Sequence, residues 1–579
     1  MLEWQLSILK YFYEECMMQR LKYFYRRHAL TVTLLFFGLL SIAMVAIVYL
    51  QPNKILSGSD YHRIENLALS IKQGEWFPRI SYFFIGGMGY AAGLFYPDAF
   101  LYLPAILRVV GLSIKESFIV FAIAINFSTF LITYISGKLA DFNKKQALIF
   151  SLMYGLSIYR FADLVNRQAI GEVIALTFFP LMIVMLTRLK KGEHRYWYLL
   201  SIGMAAIGYS HMISVEMMGI VIIIYTLLNL KRFYQNKSLK YLIAAGLLAI
   251  GLLGRYFLAV GEQMATTIFQ VTAQPLAFLS DRTLPFKDIV VNSLTNAVFH
   301  ANTVNVGITI LLGLGIACGL FYYSKNDRDL IGIALGLFIA ATPIMPWHLL
   351  DHTIINTIQF PWRFFAIITA IVSYLVAKDE CHLLKNKYYF YLLILLLGAG
   401  NVIYSTNSIQ NQSWRFRTNA AYNTPNPYYI GAGHEYLPAQ TDYQKILRHK
   451  KQVVKYQPHK IKITNVRHTW GRYQFDFRIL TDQKAVVEVP FIYYKGYVAE
   501  LNHHQRLPMQ MNKRTGLTQV ALKGTGRITV YYRTTTIQRI GTVISLLSFG
   551  MLIIIGSYDG ITDKLFDIIH HKGAFYYGN

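Results

Sequence analysis

Apolar runs close to the length of a membrane span recur along most of this chain of 579 residues. A helix needs about 20 apolar residues to cross the hydrocarbon core of a bilayer. The first run, 29–50, carries no charged residue and follows a charged lead of 28 residues. It is too long for a signal-peptide core and no small-residue cleavage site follows it, so we expect an uncleaved anchor. These runs predict a polytopic α-helical membrane protein.

The run lengths predict about 12 transmembrane helices. Only 15% of the residues are charged, whereas about a quarter are charged in a soluble globular protein. The predicted spans are 30–50, 115–137, 146–160, 173–187, 196–209, 213–230, 241–260, 305–322, 329–345, 364–377, 388–405 and 539–556.

The cations that give the chain its net charge of +26 are concentrated in alternate loops. Short loops rich in Lys and Arg stay in the cytoplasm and face anionic lipid. The basic loops are 138–145, 188–195, 231–240, 325–328 and 378–387. We therefore expect a location in a cytoplasmic membrane with both termini in the cytoplasm, and no nucleic-acid partner.

The same alternation divides the chain into domains. We expect a cytoplasmic amphipathic N-terminus over 1–28, a transmembrane domain over 29–405 with a large first outer loop over 51–113, an extracytoplasmic β-rich domain over 406–538, a last transmembrane helix over 539–556 and a cytoplasmic tail over 557–579. Within the first outer loop, Ile64, Leu67, Ala68 and Ile71 recur at helical spacing. They predict an amphipathic helix on the membrane surface.

Four segments of the outer domain alternate apolar and polar residues with a period of two. They are 473–479, 485–489, 517–522 and 527–531, and Gly or Asn residues stand between them. This pattern is typical of strands joined by turns, and it predicts a small antiparallel β-sandwich.

Asp60 is the first candidate for chemistry, because it lies in the outer loop just after the first span. A carboxylate at the membrane rim is well placed to take a proton from the hydroxyl of an acceptor. Asp is equally a favoured residue at a helix N-terminus, and the two readings have equal weight on local grounds.

A second candidate cluster comprises Arg160, Asp163, Arg167 and Glu172, at the outer ends of the third and fourth spans. Arginine pairs bidentately with phosphate oxygens, so the cluster could hold a lipid phosphate. The alternative is a set of interfacial salt bridges that contributes little to stability.

Other polar residues near the outer face are open to two readings. His211 lies near a tight outer turn, Arg255 lies inside an apolar span, and Arg363 opens the tenth span. Each could contact substrate. The alternatives are an interhelical contact for His211, extension of the side chain to the membrane interface for Arg255, and an interfacial anchor for Arg363. Asp327 and Asp329 have the spacing of a metal-binding acidic pair, but we expect a solvated loop on the opposite side.

The cysteines indicate neither a disulfide framework nor a zinc site. Cys16, Cys318 and Cys381 are few and scattered, and no Cys/His cluster has the spacing of zinc ligands. No metal or cofactor is therefore predicted, although a divalent cation is left open.

These residues lie in a series of motifs that together resemble the YfhO-type family of bacterial membrane proteins. The motifs are SDYHRIE at 59–65, GEWFPRI at 74–80, GLFYP at 93–97, RQAIGE at 167–172, QFPWR at 359–363, EYLP at 435–438 and VPFIYYKG at 489–496. One departure is the segment 255–262, which lacks the proline of its relatives. The roles of Arg255 and Glu262 are therefore in doubt.

The resemblance implies a fold similar to GT-C glycosyltransferases, which use polyprenyl-phosphate sugars outside the membrane. It implies that Asp60 matches the first-loop acid of such enzymes and that the acceptor is a cell-wall polymer such as a teichoic acid or a polysaccharide. The substrate-binding residues would be His62, Arg63, Arg160, Arg167, Glu172, His211 and Arg363. Further expected partners are membrane lipids and an enzyme that makes the lipid-linked sugar. The alternatives are a transporter or flippase of lipid-linked saccharide and a non-catalytic scaffold that binds wall polymer.

Overall fold

A computed structural model of the chain describes residues 30–47, 55–56, 60–298, 303–320, 326–380, 382–411, 416–417, 425–431, 434–448, 453–502 and 504–573. The predicted cytoplasmic N-terminus, 1–28, lies outside the described residues.

Six helices in the described ranges are long and apolar enough to cross a membrane. Two bent pairs raise this number to eight if each pair is one span. Leu546, Leu547 and Ile554 of the last helix are exposed, as expected of a surface that contacts lipid. The six are Leu30–Ile47, Ile114–Leu139, Ile170–Lys191, Pro361–Lys378, Lys387–Ser408 and Thr536–Tyr558, and the pairs are Lys144–Gly155 with Ile158–Arg167 and Leu239–Leu252 with Gly254–Thr266.

Each predicted span corresponds to a helix or to a bent pair, but four of these helices are short. A helix rises about 1.5 Å per residue, so they fall short of a hydrocarbon core about 30 Å thick. The count of about 12 membrane spans therefore stays a prediction. The short helices are Tyr198–Gly208, Met212–Leu228, Ile308–Leu320 and Arg328–Ala340, with 11, 17, 13 and 13 residues.

The predicted cytoplasmic loops gather at one end of the helical bundle. Gln146 Nε2 donates to the carbonyl of Lys378 at 3.0 Å, and Ser238 Oγ donates to the carbonyl of Leu189 at 2.6 Å. The alternation of basic loops therefore predicts correctly which helix ends lie together.

Asp327 and Asp329 lie at this end, and the prediction of a solvated loop is wrong for them. Asp329 accepts hydrogen bonds from Lys190 Nζ at 2.8 Å and from Asn229 Nδ2 at 2.6 Å, while Asp327 pairs with Lys378. Asp327 is buried, as is Lys190. The acidic pair therefore ties together the ends of three helices.

The helix Asp60–Lys72 does not lie on a membrane surface, contrary to the prediction. Ile64, Leu67 and Ala68 are fully buried in the main hydrophobic core. The helix packs against Tyr102–Val109, whose Arg108 Nε donates to Glu65 at 2.8 Å. Its apolar face is covered by protein, so this helix is an integral layer of the bundle.

The four predicted strand segments are all strands of two antiparallel sheets. The first sheet has the spatial order Ile461–Thr469, Arg472–Ile479, Thr525–Tyr532, Tyr497–Leu501 and Gln505–Pro508. The second has the order Ala485–Ile492, Leu517–Leu522 and Gln510–Met511. Alternate residues of both sheets share one hydrophobic core. A separate pair joins Ile55–Leu56 to Phe416–Arg417.

The sheets pack on the bundle end opposite the basic loops. Gln263 and Lys495 exchange two hydrogen bonds, at 2.8 and 2.9 Å, between a helix of the bundle and the sheet region. The Ile492 N–H also donates to the carbonyl of Met88 at 3.0 Å. These contacts place the sheets beside the helix ends opposite the basic loops.

Candidate functional site

A cavity of about 1140 Å³ lies at this end of the bundle. Four of the predicted substrate-binding residues line it: Arg63, Arg167, His211 and Arg363. They come from four separate segments of the chain, and the cavity is where the fold brings these segments together. Tyr429 and Glu435, which precede the sheets in the sequence, also line it.

Arg167 reaches the cavity from an irregular turn. The helix Ile158–Ala162 widens into a π-helical segment, Asp163–Arg167, and Gln168 then adopts a left-handed conformation with φ of 52°. Arg167 Nη1 donates to Asp163 and, at 3.2 Å, to Glu172, and its guanidinium stacks on the Trp362 ring at 4.6 Å. π-Helical turns occur frequently at functional sites.

Arg363 enters the cavity from the 3₁₀ turn Pro361–Phe364. Its Nη1 donates to the carbonyl of Ile358 at 2.7 Å and to Gln359 Oε1 at 3.2 Å. Its Nε lies 3.3 Å from Glu172 Oε2. These contacts with neighbouring protein atoms hold the guanidinium in one orientation.

Glu172 fixes both arginines from behind the cavity wall. Its side chain is almost fully buried, and it also accepts a hydrogen bond from the Tyr159 hydroxyl at 2.9 Å. A single carboxylate thus pairs with both Arg167 and Arg363. In the described part of the chain, Nε and Nη2 of Arg167 and Nη2 of Arg363 make no hydrogen bond. These nitrogens are donors available to an anion in the cavity.

Arg63 lines the cavity from the helix Asp60–Lys72. Its Nη2 donates to Asp98 Oδ1 at 2.6 Å and to the carbonyl of Pro97 at 2.9 Å. The guanidinium also stacks over the Tyr96 ring at 4.1 Å. The Tyr-Pro-Asp turn thus holds Arg63 in place and supplies a counter-charge.

His211 forms part of the same wall between two helices. Its Nδ1 is 2.9 Å from Ser214 Oγ. Burial lowers the pKa of His211 to about 3, because the attraction of Glu172 does not offset the desolvation and the repulsion by Arg363 and Arg167. At neutral pH the imidazole is uncharged, so it can offer a hydrogen bond to a substrate but no positive charge.

Glu435 is a cavity carboxylate to which the sequence analysis gave no role. It is half-buried, lines the cavity, and makes no side-chain hydrogen bond or ion pair with the described residues. Its motif contributes only to the family resemblance, and no local signal in the sequence indicates that it lines the cavity.

Two cavity residues, Gln168 and Gln359, have positive φ, which is uncommon for residues other than glycine and is found at ligand sites.

Three of the predicted residues do not line the cavity. His62 is buried, with its ring stacked on Tyr61 at 4.0 Å and near the Tyr429 ring at 5.1 Å. Glu172 lies behind the wall, as described above. Arg160 is buried, and it donates to Asn126 at 2.7 Å and to Thr129 at 2.8 Å. Its guanidinium joins two helices, and a phosphate contact would require it to leave these partners.

The candidate base, Asp60, begins the helix Asp60–Lys72 one turn before Arg63. Its side chain lies outside the described residues, so its role stays a prediction. Among the described residues, no group of three or more His, Cys, Asp and Glu side chains could hold a metal ion.

No protein-family model matches the chain, and no curated protein matches it. The resemblance to YfhO-type proteins therefore stays a prediction. Among solved structures, the chain is similar to the arabinofuranosyltransferase AftD from Mycobacteria, with 14% identity and a TM-score of 0.41 over 65% of this chain and 26% of that one. It is also similar to an apo oligosaccharyltransferase from Archaeoglobus fulgidus, with 13% identity and a TM-score of 0.37 over 68% of this chain and 56% of that one. The chain thus corresponds to about a quarter of the first protein and about half of the second. Both are, by name, enzymes that transfer sugars, but similarities this low assign no activity.

Proposed function

We propose that the chain is a membrane glycosyltransferase that moves a sugar from a polyprenyl-phosphate carrier to a hydroxyl of a cell-wall polymer outside the cytoplasm. The observation that supports this most directly is the pair of arginines at the cavity wall, Arg167 and Arg363. They share Glu172, and each has N–H groups that make no hydrogen bond with the described residues. Such donors suit the phosphate that the reaction releases.

In this reaction, an acceptor hydroxyl oxygen attacks the anomeric carbon of the donor sugar. The bond between that carbon and the phosphate oxygen breaks, and polyprenyl phosphate leaves with the bonding electrons. The hydroxyl proton passes to a carboxylate, and one displacement inverts the anomeric centre. Negative charge develops on the leaving phosphate, and donors that are already oriented there lower the barrier most.

The residues that line the cavity then have distinct roles. Arg167 and Arg363 hold the phosphate, and Arg63 lies in the same cavity with its orientation fixed by Asp98. The neutral His211 offers a hydrogen bond to a sugar or phosphate oxygen. Asp60 is the proposed base, and Glu435 is a second carboxylate able to orient the acceptor hydroxyl.

The experiment uses the purified full chain in vesicles, with polyprenyl-phosphate [¹⁴C]glucose, galactose and N-acetylglucosamine as probes and isolated wall polymer as acceptor. We expect polymer-bound label from one of these donors. Asp60→Asn should reduce that rate by about 100-fold, a typical contribution of a positioned base. Asp482→Asn, an exposed carboxylate of the sheet region, is the control and should leave the rate unchanged.

The outcomes separate the alternatives. If Asp60→Asn transferred label at the parental rate and Glu435→Gln did not, Asp60 would not be the base and Glu435 would replace it. If labelled lipid crossed the vesicle membrane intact and no polymer was labelled, the chain would be a transporter and the proposal would be wrong.

A further inference from the structure

Two arginines outside the cavity, Arg79 and Arg255, form no ion pair with the described residues. Arg79 is 8% exposed, and its guanidinium makes no hydrogen bond or ion pair with the described residues. Arg255 begins the second half of the bent pair Leu239–Leu252 and Gly254–Thr266, where the chain turns by 66°. Neither residue lines the cavity.

The two arginines belong to one cluster. The Arg255 guanidinium lies 5.0 Å from the centre of the Phe77 ring, two residues before Arg79. Burial is the larger cause and the positive charge of Arg255 a smaller one in lowering the pKa of Arg79 to about 10. The Arg79 guanidinium is therefore charged at neutral pH, and the charge of Arg255 repels it.

The acids nearest in the sequence are already engaged. Glu262 accepts hydrogen bonds from Thr535 at 2.7 Å and from Gln538 at 3.1 Å. Glu75 accepts a hydrogen bond from Trp470 Nε1 at 3.4 Å. A buried charge without a compensating partner destabilises a protein strongly. Among the described residues no carboxylate forms an ion pair with either arginine, so an anion bound between the two would stabilise the arrangement.

The surface beside the arginines is aromatic and exposed. Trp76 is 53% exposed and Phe77 is 64% exposed. The Tyr102 hydroxyl donates to the carbonyl of Trp76, which fixes the segment that carries both rings. Exposed Trp and Phe beside Arg are typical of the level at which lipid headgroups lie.

We propose that Arg79 and Arg255 form a phosphate-binding site for a membrane lipid, separate from the cavity. The two guanidinium groups bind the phosphate oxygens, and Trp76 and Phe77 contact the first carbons of the acyl chains. The bound phosphate supplies a counter-charge that the described residues do not provide here. Because the site joins the predicted first outer loop, which carries Arg79, to the bent helix pair, which carries Arg255, an occupied site also stabilises the contact between them.

The experiment measures lipid binding to the purified full chain in detergent by native mass spectrometry. The probes are phosphatidic acid and diacylglycerol with identical acyl chains, which differ only in the phosphate. In the double variant Arg79→Gln/Arg255→Gln, we expect phosphatidic acid to bind about tenfold more weakly, because charge-assisted hydrogen bonds are lost. Arg506→Gln/Arg514→Gln, at two exposed arginines of the sheet region, is the charge-matched control and should bind as the parent does.

Two results would overturn the proposal. One is phosphatidic acid that binds the double variant as tightly as the parent. The other is inorganic phosphate that displaces phosphatidic acid at equal concentration, which would identify a site for a free anion. The melting temperature of the lipid-free protein is a separate measurement. Arg79→Gln should raise it by a few degrees, since an unpaired buried charge is removed. A structural arginine would lower it instead.

Discussion

The substitution Glu172→Gln tests how the arginine pair is held. Glutamine keeps the shape of the side chain and can still accept the hydrogen bond from Tyr159, so packing is preserved. Arg167 retains Asp163, but Arg363 loses its one carboxylate contact among the described residues. The Arg363 side chain is 7% exposed, so its charge is then buried without compensation.

Breaking a buried ion pair by removal of one partner costs about 3–5 kcal/mol. We expect about 3 kcal/mol for Glu172→Gln, because Arg363 retains its hydrogen bonds to Ile358 and Gln359. The assay is the free energy of unfolding of the purified chain, from denaturant titration in mixed micelles. Asp482→Asn should change this free energy by less than about 0.5 kcal/mol, as surface substitutions do.

The double variant Glu172→Gln/Arg363→Gln completes the test. Removing both charges leaves no unpaired ion, so the double variant should be about 1–2 kcal/mol more stable than Glu172→Gln alone, within the range of coupling between contacting residues. If the two substitutions destabilised the chain by the sum of their separate effects, the two side chains would not be coupled and the reasoning would be refuted.

Three further predictions concern the surroundings of the cavity. Gly171→Ala should lower the free energy of unfolding by about 1–3 kcal/mol, because the added carbon would lie 2.8 Å from the Ser210 carbonyl and closer still to the Tyr96 hydroxyl. Arg160→Met should lower it by about 2–3 kcal/mol by leaving buried partners unsatisfied, with an unchanged KM for the lipid donor. His211→Gln should leave the shape of the pH–rate profile between pH 5 and 8 unchanged, because the buried imidazole is already neutral across that range.

The features that the sequence predicts well are those with a local signal. The alternation of apolar and polar residues in 472–479 and in 525–532 depends only on which face of each strand is buried, and both strands form as expected. The basic loops likewise predict which helix ends lie together, because each loop carries its own charge. The prediction that Arg63, Arg167, His211 and Arg363 lie at one end of the bundle follows from the same alternation of basic loops.

The features that the sequence does not predict depend on packing between distant segments. Arg160 is held by Asn126 and Thr129, more than thirty positions earlier in the chain, and their distance in sequence gives no sign of this contact. The ion pair between Asp329 and Lys190 likewise joins residues that are distant in the sequence. The helix Asp60–Lys72 has the amphipathic pattern of a surface helix, and only the fold decides that protein rather than lipid covers its apolar face.

The measurement that tests the central claim most directly is the stoichiometry of transfer by the purified chain in vesicles. Free polyprenyl phosphate and polymer-bound sugar are counted in the same reaction. One carrier should be released for each sugar transferred, and Arg363→Gln should slow both by about 100-fold, as expected when a preorganised donor to the leaving group is removed. Sugar that stays on its carrier, or an Arg363→Gln variant that works at the parental rate, would contradict the claim that this cavity transfers sugar from a polyprenyl phosphate.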